Sequence, residues 1–233
     1  MRVYRTVAAL SAAALVLCGC ASEDNIYTQQ RPEKEAISIA VDGGSTEQIV
    51  LGEIYSQVLN SQGRPNSVTA VEGLAAAAPV PVLRELRADF VVTCTGRMLE
   101  QTDPAAAKEL AGGDIADGGY TDSVYDAAVA TLPGDIRSVD PSPAQGCGKA
   151  GELPQNVIPV FYKGTFDRGE MNRLNFITRA LSTDRLEDMA EAVDEGTPVK
   201  DAIADWIMEF AHIDVHFDAP SDPDDAVDPD SAS

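Results

Sequence analysis

The sequence predicts an α/β domain: a mainly parallel sheet covered by helices, with three further helices at the C-terminal end of the fold. Three observations carry this expectation. Short apolar or alternating runs recur between capped amphipathic stretches over the first two thirds of the chain. The last third changes to three consecutive capped helices. The composition is that of a globular protein, 44% apolar and 24% charged in 233 residues, too apolar for a wholly disordered chain.

The elements follow in order. Ile37-Ser38-Ile39-Ala40-Val41 alternates and reads as a strand, and Asp42-Gly43-Gly44 as a turn. Ser45-Thr46-Glu47-Gln48 has the capping-box pattern, with Ser45 as N-cap and Gln48 reaching back. The helix behind it carries Val50, Leu51, Ile54, Val58 and Leu59 on one face and stops at Gly63. Ser67 to Val71 is a second strand, Pro79 to Arg87 a helix, and Asp89 to Thr93 a third strand. Asp122 to Leu132 is helical, ended by Pro133-Gly134, and Ile136 to Val139 is strand-like. Asn156 to Phe161 is one more apolar strand. Asp167 and Glu170 form a capping box for a helix with Met171, Leu174, Ile177 and Leu181. Ser182 or Thr183 caps a helix with Leu186, Met189 and Val193 that ends at Gly196. Thr197-Pro198 starts the last, with Val199, Ile203, Trp206 and Phe210. These stripes have the spacing of core faces.

The two ends of the chain read differently from this domain, which is expected over residues 36–211. Arg2 and Arg5 precede an apolar stretch, Val7 to Leu17, that is too short for a stable span. Leu17-Cys18-Gly19-Cys20 then resembles the lipobox of bacterial lipoproteins. That likeness implies a signal peptide over 1–19, acylation of Cys20, and a tether over 20–35 on the outer face of the cell membrane. At the other end, Asp218 to Ser233 holds six Asp and three Pro, so 212–233 reads as a disordered acidic tail. The whole chain has 17 Lys and Arg against 38 Asp and Glu, a net charge of −21. This excludes an electrostatic grip on nucleic acid and argues against docking on anionic lipid other than through the anchor.

Export leaves Cys94 and Cys147 as an even pair in an oxidising compartment. They read either as a disulfide closing a loop of roughly 50 residues, stabilising the fold by about 4 kcal/mol on a chain-entropy argument, or as two buried thiols. His212 and His216 have helical i, i+4 spacing, but Ile213, Val215 and Phe217 alternate with them as in a short strand or frayed end. No metal is expected there, and no cofactor elsewhere. No nucleophile elbow, metal cluster or Gly-x-Gly-x-x-Gly motif points to an enzyme, so no catalytic residue is assigned.

Four segments carry a family resemblance. Ile37 to Val41 followed by Ser45-Thr46-Glu47-Gln48-Ile49-Val50-Leu51-Gly52-Glu53 resembles a first strand and a Phe-Thr-Glu-Gln-x-x-Leu-Gly-Glu helix start. Asp89 to Arg97 (Asp-Phe-Val-Val-Thr-Cys-Thr-Gly-Arg) is similar to Asp-x-Tyr-Pro-Glu-Tyr-Thr-Gly-Thr, and Asp140-Pro-Ser-Pro-Ala-Gln145 to Pro-Ala-Pro-Ala-Gln-Asp-Thr-Asn. Leu153 to Phe210 looks like a C-terminal closing segment. These are features of the substrate-binding proteins of glycine betaine/choline (osmoprotectant) ABC importers. The resemblance implies one lobe of a type II periplasmic-binding-protein fold, a permease as partner, and a small quaternary amine as ligand.

The sequence departs from that family in two ways. The family inserts a second lobe between the Gln-Asp-Thr-Asn segment and the closing segment; here a Gly-rich bridge of about seven residues stands in its place, long enough only for a short connection. The family's Tyr-Pro-Glu-Tyr becomes Val91, Val92, Thr93 and Cys94, which removes aromatic faces that attract a quaternary cation. Cys94 and Cys147 both fall at positions that the family fold brings close, which implies that they pair and staple the former cleft edge. Gln48, Thr93 and Thr95 match the family's polar cleft positions, and Gly43-Gly44 before a helix start suits a carboxylate. Each also reads as ordinary architecture: a cap, two strand-end residues, a strand-to-helix turn. Two functions follow. One is a solute-binding module of a transporter. The other is an envelope protein-interaction or regulatory module that reuses the lobe as a scaffold. A single cleft wall covers roughly half of a ligand where sites usually bury 70–90%, which favours the second.

Overall fold

The computed structural model describes residues 34–114, 117–148 and 152–215. The expected signal peptide, Cys20, nearly all of the expected tether, His216 and the acidic tail beyond it lie outside these residues. The element order is β1 (Ile37–Asp42), α1 (Thr46–Ser61), β2 (Asn66–Val71), a 3-10 turn (Leu74–Ala76), α2 (Pro79–Glu85), β3 (Phe90–Cys94), α3 (Thr95–Thr102), α4 (Pro104–Leu110), α5 (Gly118–Ala130), β4 (Ile136–Ser138), β5 (Val157–Tyr162), α6 (Arg168–Ala180), α7 (Thr183–Asp194) and α8 (Val199–Ala211). None of these helices is long and apolar enough to cross a membrane.

The protein is α/β, with a five-stranded sheet in the order β2-β1-β3-β5-β4. β1 pairs parallel with β2 and β3, whereas β5 is antiparallel to both of its neighbours. The expected mainly parallel sheet is therefore mixed, with β5 as its one reversed strand. The reason lies between β4 and β5. A parallel return needs a crossover, usually a helix. The stretch after β4 is broken by Pro141, Pro143, Gly146 and Gly148, and its described residues form no helix. The chain can only double back, and it does so into the slot between β3 and β4.

Alternation along the strands makes two cores. Ile39, Val41, Phe90, Val92, Val157 and Phe161 face α1, α6, α7 and α8. Ala40, Val91, Ile158 and Val160 face α2 to α5. In α1 the residues Val50, Leu51, Ile54, Val58 and Leu59 are fully buried, each worth about 1.5–3 kcal/mol relative to exposure. Gly52 lets this helix approach the sheet: a Cβ there would stand 2.8 Å from Val41 Cγ1 and 2.9 Å from Val68 Cγ1. The aromatic side chains Tyr55, Phe90, Phe161 and Phe166 contact one another in this core, with centroids 5.0 to 5.9 Å apart.

Some boundaries move. α3 and α4 are additions to the expected elements; α4 starts at Pro104 behind Asp103, whose Oδ1 accepts from the Ala106 N–H. α5 starts four residues before the expected Asp122, because Asp117 caps it by accepting from the Gly119 N–H. After α8, His212 turns left-handed at φ 53° and residues 213–215 form no strand, although Ile213 and Val215 pack on the core. At the other end Lys34 forms ion pairs with Asp167 and Glu170, so packed structure begins inside the expected tether.

Candidate functional site

In open α/β sheets ligands bind beyond the carboxyl ends of the strands. Here that edge is formed by Asp42 at the end of β1, Cys94 at the end of β3 and the segment 139–148 after β4. Asp42 Oδ1 accepts from the Gly44 N–H at 3.1 Å and shapes the turn. Ser45 caps α1 as expected, its Oγ accepting from the Gln48 N–H at 3.3 Å. The Gln48 side chain does not close the capping box. It is buried, and its Nε2 donates to the Gly146 carbonyl at 2.7 Å, with Cys147 Sγ at 3.5 Å. A reciprocal capping box does form at Asp167 and Glu170.

Segment 142–146 runs antiparallel beside 155–157. Ser142 N–H donates to Val157, Val157 N–H to Ala144 and Gly146 N–H to Gln155, at 2.9 to 3.1 Å. Cys94 and Cys147 are joined by a disulfide, their Cα atoms 6.1 Å apart. This is the pairing that the resemblance implies, and both residues are buried. The start of α3 is also occupied. Thr95 N–H donates to Asn156 O, Gly96 N–H to Pro154 O and Arg97 N–H to Gln155 Oε1, at 2.9 to 3.0 Å. These donors are the ones a helix start would offer an anion. Gly96 permits the contact, since a Cβ there would be 2.7 Å from Pro154 O.

The residues singled out from sequence are thus drawn into the fold. Gln48 meets the bridge. Thr95 is fully buried and its Oγ1 donates to Pro154 O at 2.9 Å. Thr93 is buried in β3 and lines a crevice of about 10 Å³, room for at most one water. Gln48, Cys94 and Cys147 come together; Thr93 and Thr95 stand apart from them, in that crevice and against Pro154. Cys20 lies outside the described residues.

Two hollows remain at this edge. One, of about 420 Å³, is lined by Asp42, Ser45, Thr46, Glu47, Arg97 and Asp194 among others, and no aromatic side chain among the described residues borders it. Among the described residues Arg97 is its one lining cation. Its guanidinium donates to the Cys147 carbonyl at 2.9 Å and stands 3.8 Å from Asp42 Oδ2. Sequence reasoning passed over this arginine; a lone basic residue just past a strand's carboxyl end was the available signal. The other hollow, of about 630 Å³ beyond β4, is bordered by Asp122, Tyr125, Asp126, Asp140 and Arg179. Burial, then Asp140 and Asp126, raise the Tyr125 hydroxyl above its ordinary pKa, and it donates to the Val139 carbonyl at 3.1 Å. Asp140 already holds Arg179 at 3.6 Å and the Asn175 amide at 3.1 Å. Carboxylates dominate both hollows, and the described residues form a cage of several aromatic faces in neither. No group of three His, Cys, Asp or Glu among the described residues is placed to hold a metal ion. No protein-family model and no curated protein matches this sequence.

Proposed function

We propose that this chain is a lipid-anchored protein of the outer face of the cell membrane whose single lobe serves as a protein-interaction module of the envelope and traps no osmolyte. The observation that carries this reading is the closed edge. Gln48 and Thr95 bond to the chain's own backbone, and the Cys94–Cys147 disulfide holds the bridge across the place where a cleft floor would open. The lobe belongs, on this reading, to the type II periplasmic-binding-protein kind. What supports that is β5: it comes from the segment after the bridge, yet it fills the sheet between β3 and β4. A lobe completed only after an insertion point is what loss of an inserted second lobe would leave.

The test is a titration of the full chain in detergent with glycine betaine, choline, carnitine and proline, followed by melting temperature. A bound ligand at 100 times its Kd adds about 2.7 kcal/mol of stability. No shift is expected; a saturable one overturns the proposal. Labelling cells with an alkyne fatty acid checks the anchor, and Cys20→Ala is expected to abolish the label.

A second reading, the solute-binding component of an osmoprotectant importer, is favoured by one observation. The 420 Å³ hollow lies beyond the carboxyl ends of β1 and β3, where such sheets bind ligands. It would require an opposing wall, from a permease or a second copy, to cover a ligand.

A further inference from the structure

The two edges of the sheet are guarded unequally. β4 is three residues long and carries Arg137. β2 has six residues, Asn66–Val71, with no proline and no charged side chain. Exposed strand edges are ordinarily blunted by shortness, charge, proline or bulges, and β2 has none of these. Its ladder to β1 sets which backbone groups point where. Ile37 N–H donates to Pro65 O and Gly43 N–H to Val71 O, with continuous register between them. The N–H and C=O groups of Ser67, Thr69 and Val71 therefore face β1, and those of Asn66, Val68 and Ala70 face outward. Among the described residues no strand covers that side.

We propose that β2 pairs antiparallel with β2 of a second copy of this chain, making one continuous sheet across a two-fold axis at Val68. The outward set is self-complementary. Val68 opposes Val68 of the other copy, and Asn66 opposes its Ala70. Each pair exchanges both backbone hydrogen bonds, as alternate pairs of an antiparallel ladder do. Ser67 and Thr69 fall opposite each other between them, at the shorter cross-strand distance. Charge favours this edge over other surfaces for self-contact. A chain with a net charge of −21 repels its copies wherever carboxylates approach, and 66–71 brings none. The remaining repulsion is screened beyond about 8 Å at physiological salt, so dimerisation strengthens as salt rises. The pairing depends on neither the anchor nor the family resemblance. An anchor would raise its yield by confining the copies to one surface.

The register gives a direct test. Full-length chains carrying Ser67→Cys and Thr69→Cys are co-expressed, membranes are oxidised, and cross-linked dimer is read on a non-reducing gel. The mixed pair is expected to cross-link about tenfold more than either variant alone. Sedimentation of the purified full chain in detergent is expected to show a monomer–dimer equilibrium that shifts toward dimer with added salt. Ala70→Pro removes an outward donor while leaving the β1 ladder whole, and is expected to weaken the dimer about tenfold or more. Thr69→Asp gives a second disruption without altering the backbone, should the proline variant melt early. Equal cross-linking in all combinations, a monomer at every salt concentration, or cross-links only to a different protein would each overturn the proposal.

Discussion

At the carboxyl ends of β1 and β3 the chain is held by a disulfide and by neutral hydrogen bonds such as Gln48 to Gly146. At the opposite edge, where β1 and β2 begin, it is held by ions. Glu170 is fully buried, and its two carboxylate oxygens accept from Arg64 Nε and a terminal guanidinium nitrogen, each at 2.9 Å. Lys34 Nζ reaches Glu170 at 2.9 Å and Asp167 at 3.0 Å. Arg64 also donates to the carbonyls of Glu35 and Thr165, joining the entry to β1 with the loop after β5. One edge answers to redox potential and the other to pH. The disulfide edge ties the segment after β4 to the carboxyl end of β3; the ionic edge secures the point where the chain enters the fold.

The sharpest way to break the ionic edge is Glu170→Ala. It leaves Arg64 buried without its carboxylate and is expected to cost about 3–5 kcal/mol, read from urea unfolding. Next is the disulfide edge. Reduction, or Cys94→Ala with Cys147→Ala, is expected to cost up to about 4 kcal/mol and to leave the Glu170 cluster unaffected. Intact mass should rise by two hydrogen atoms on reduction, as each sulfur becomes a thiol. Gln48→Met is expected to cost about 1–3 kcal/mol by leaving the Gly146 carbonyl unmet, with no change in response to any osmolyte. Ser45→Ala should cost about 1 kcal/mol through the lost cap on α1.

Acid separates the two edges without a large substitution. Burial alone would raise the Glu170 carboxyl, but hydrogen bonds from Arg64, the Asp167 backbone and Lys34 outweigh it and hold the pKa below its ordinary value. The Asp167 carboxyl is lowered too, first by the Glu170 backbone N–H and then by Lys34. A carboxylate depressed in the fold contributes stability above its unfolded pKa and loses it as pH falls. Stability should therefore be level down to the ordinary carboxylate range near pH 4–5 and fall below it. Glu170→Gln should flatten that fall, while loss of the disulfide should leave its slope unchanged.

Much of the local structure was legible because it depends on near neighbours. Ser45 and Asp167 with Glu170 mark helix starts through caps formed within four residues, whereas Pro198, expected at the first helical position, stands one residue before α8 and makes no side-chain cap. β1 announces itself by alternation, and β5 by a short apolar run. The pattern failed where a long-range contact outbid the local one. Gln48 has the spacing to close its capping box, yet Gly146, far along the chain, takes its amide. α3 shows little periodicity in the sequence, because Met98 and Leu99 are the only large apolar side chains its two turns bury.

The amino-acid sequence by itself determined the α/β class, the three C-terminal helices and most helix starts, since propensity, capping and apolar spacing act over a few residues. Only the tertiary structure decided that β5 runs backward between β3 and β4, that Cys94 and Cys147 are joined, that Gln48 and Thr95 face inward, and that Arg64 and Lys34 converge on Glu170. Each of these joins residues dozens of positions apart, and such distances are set by how the layers pack.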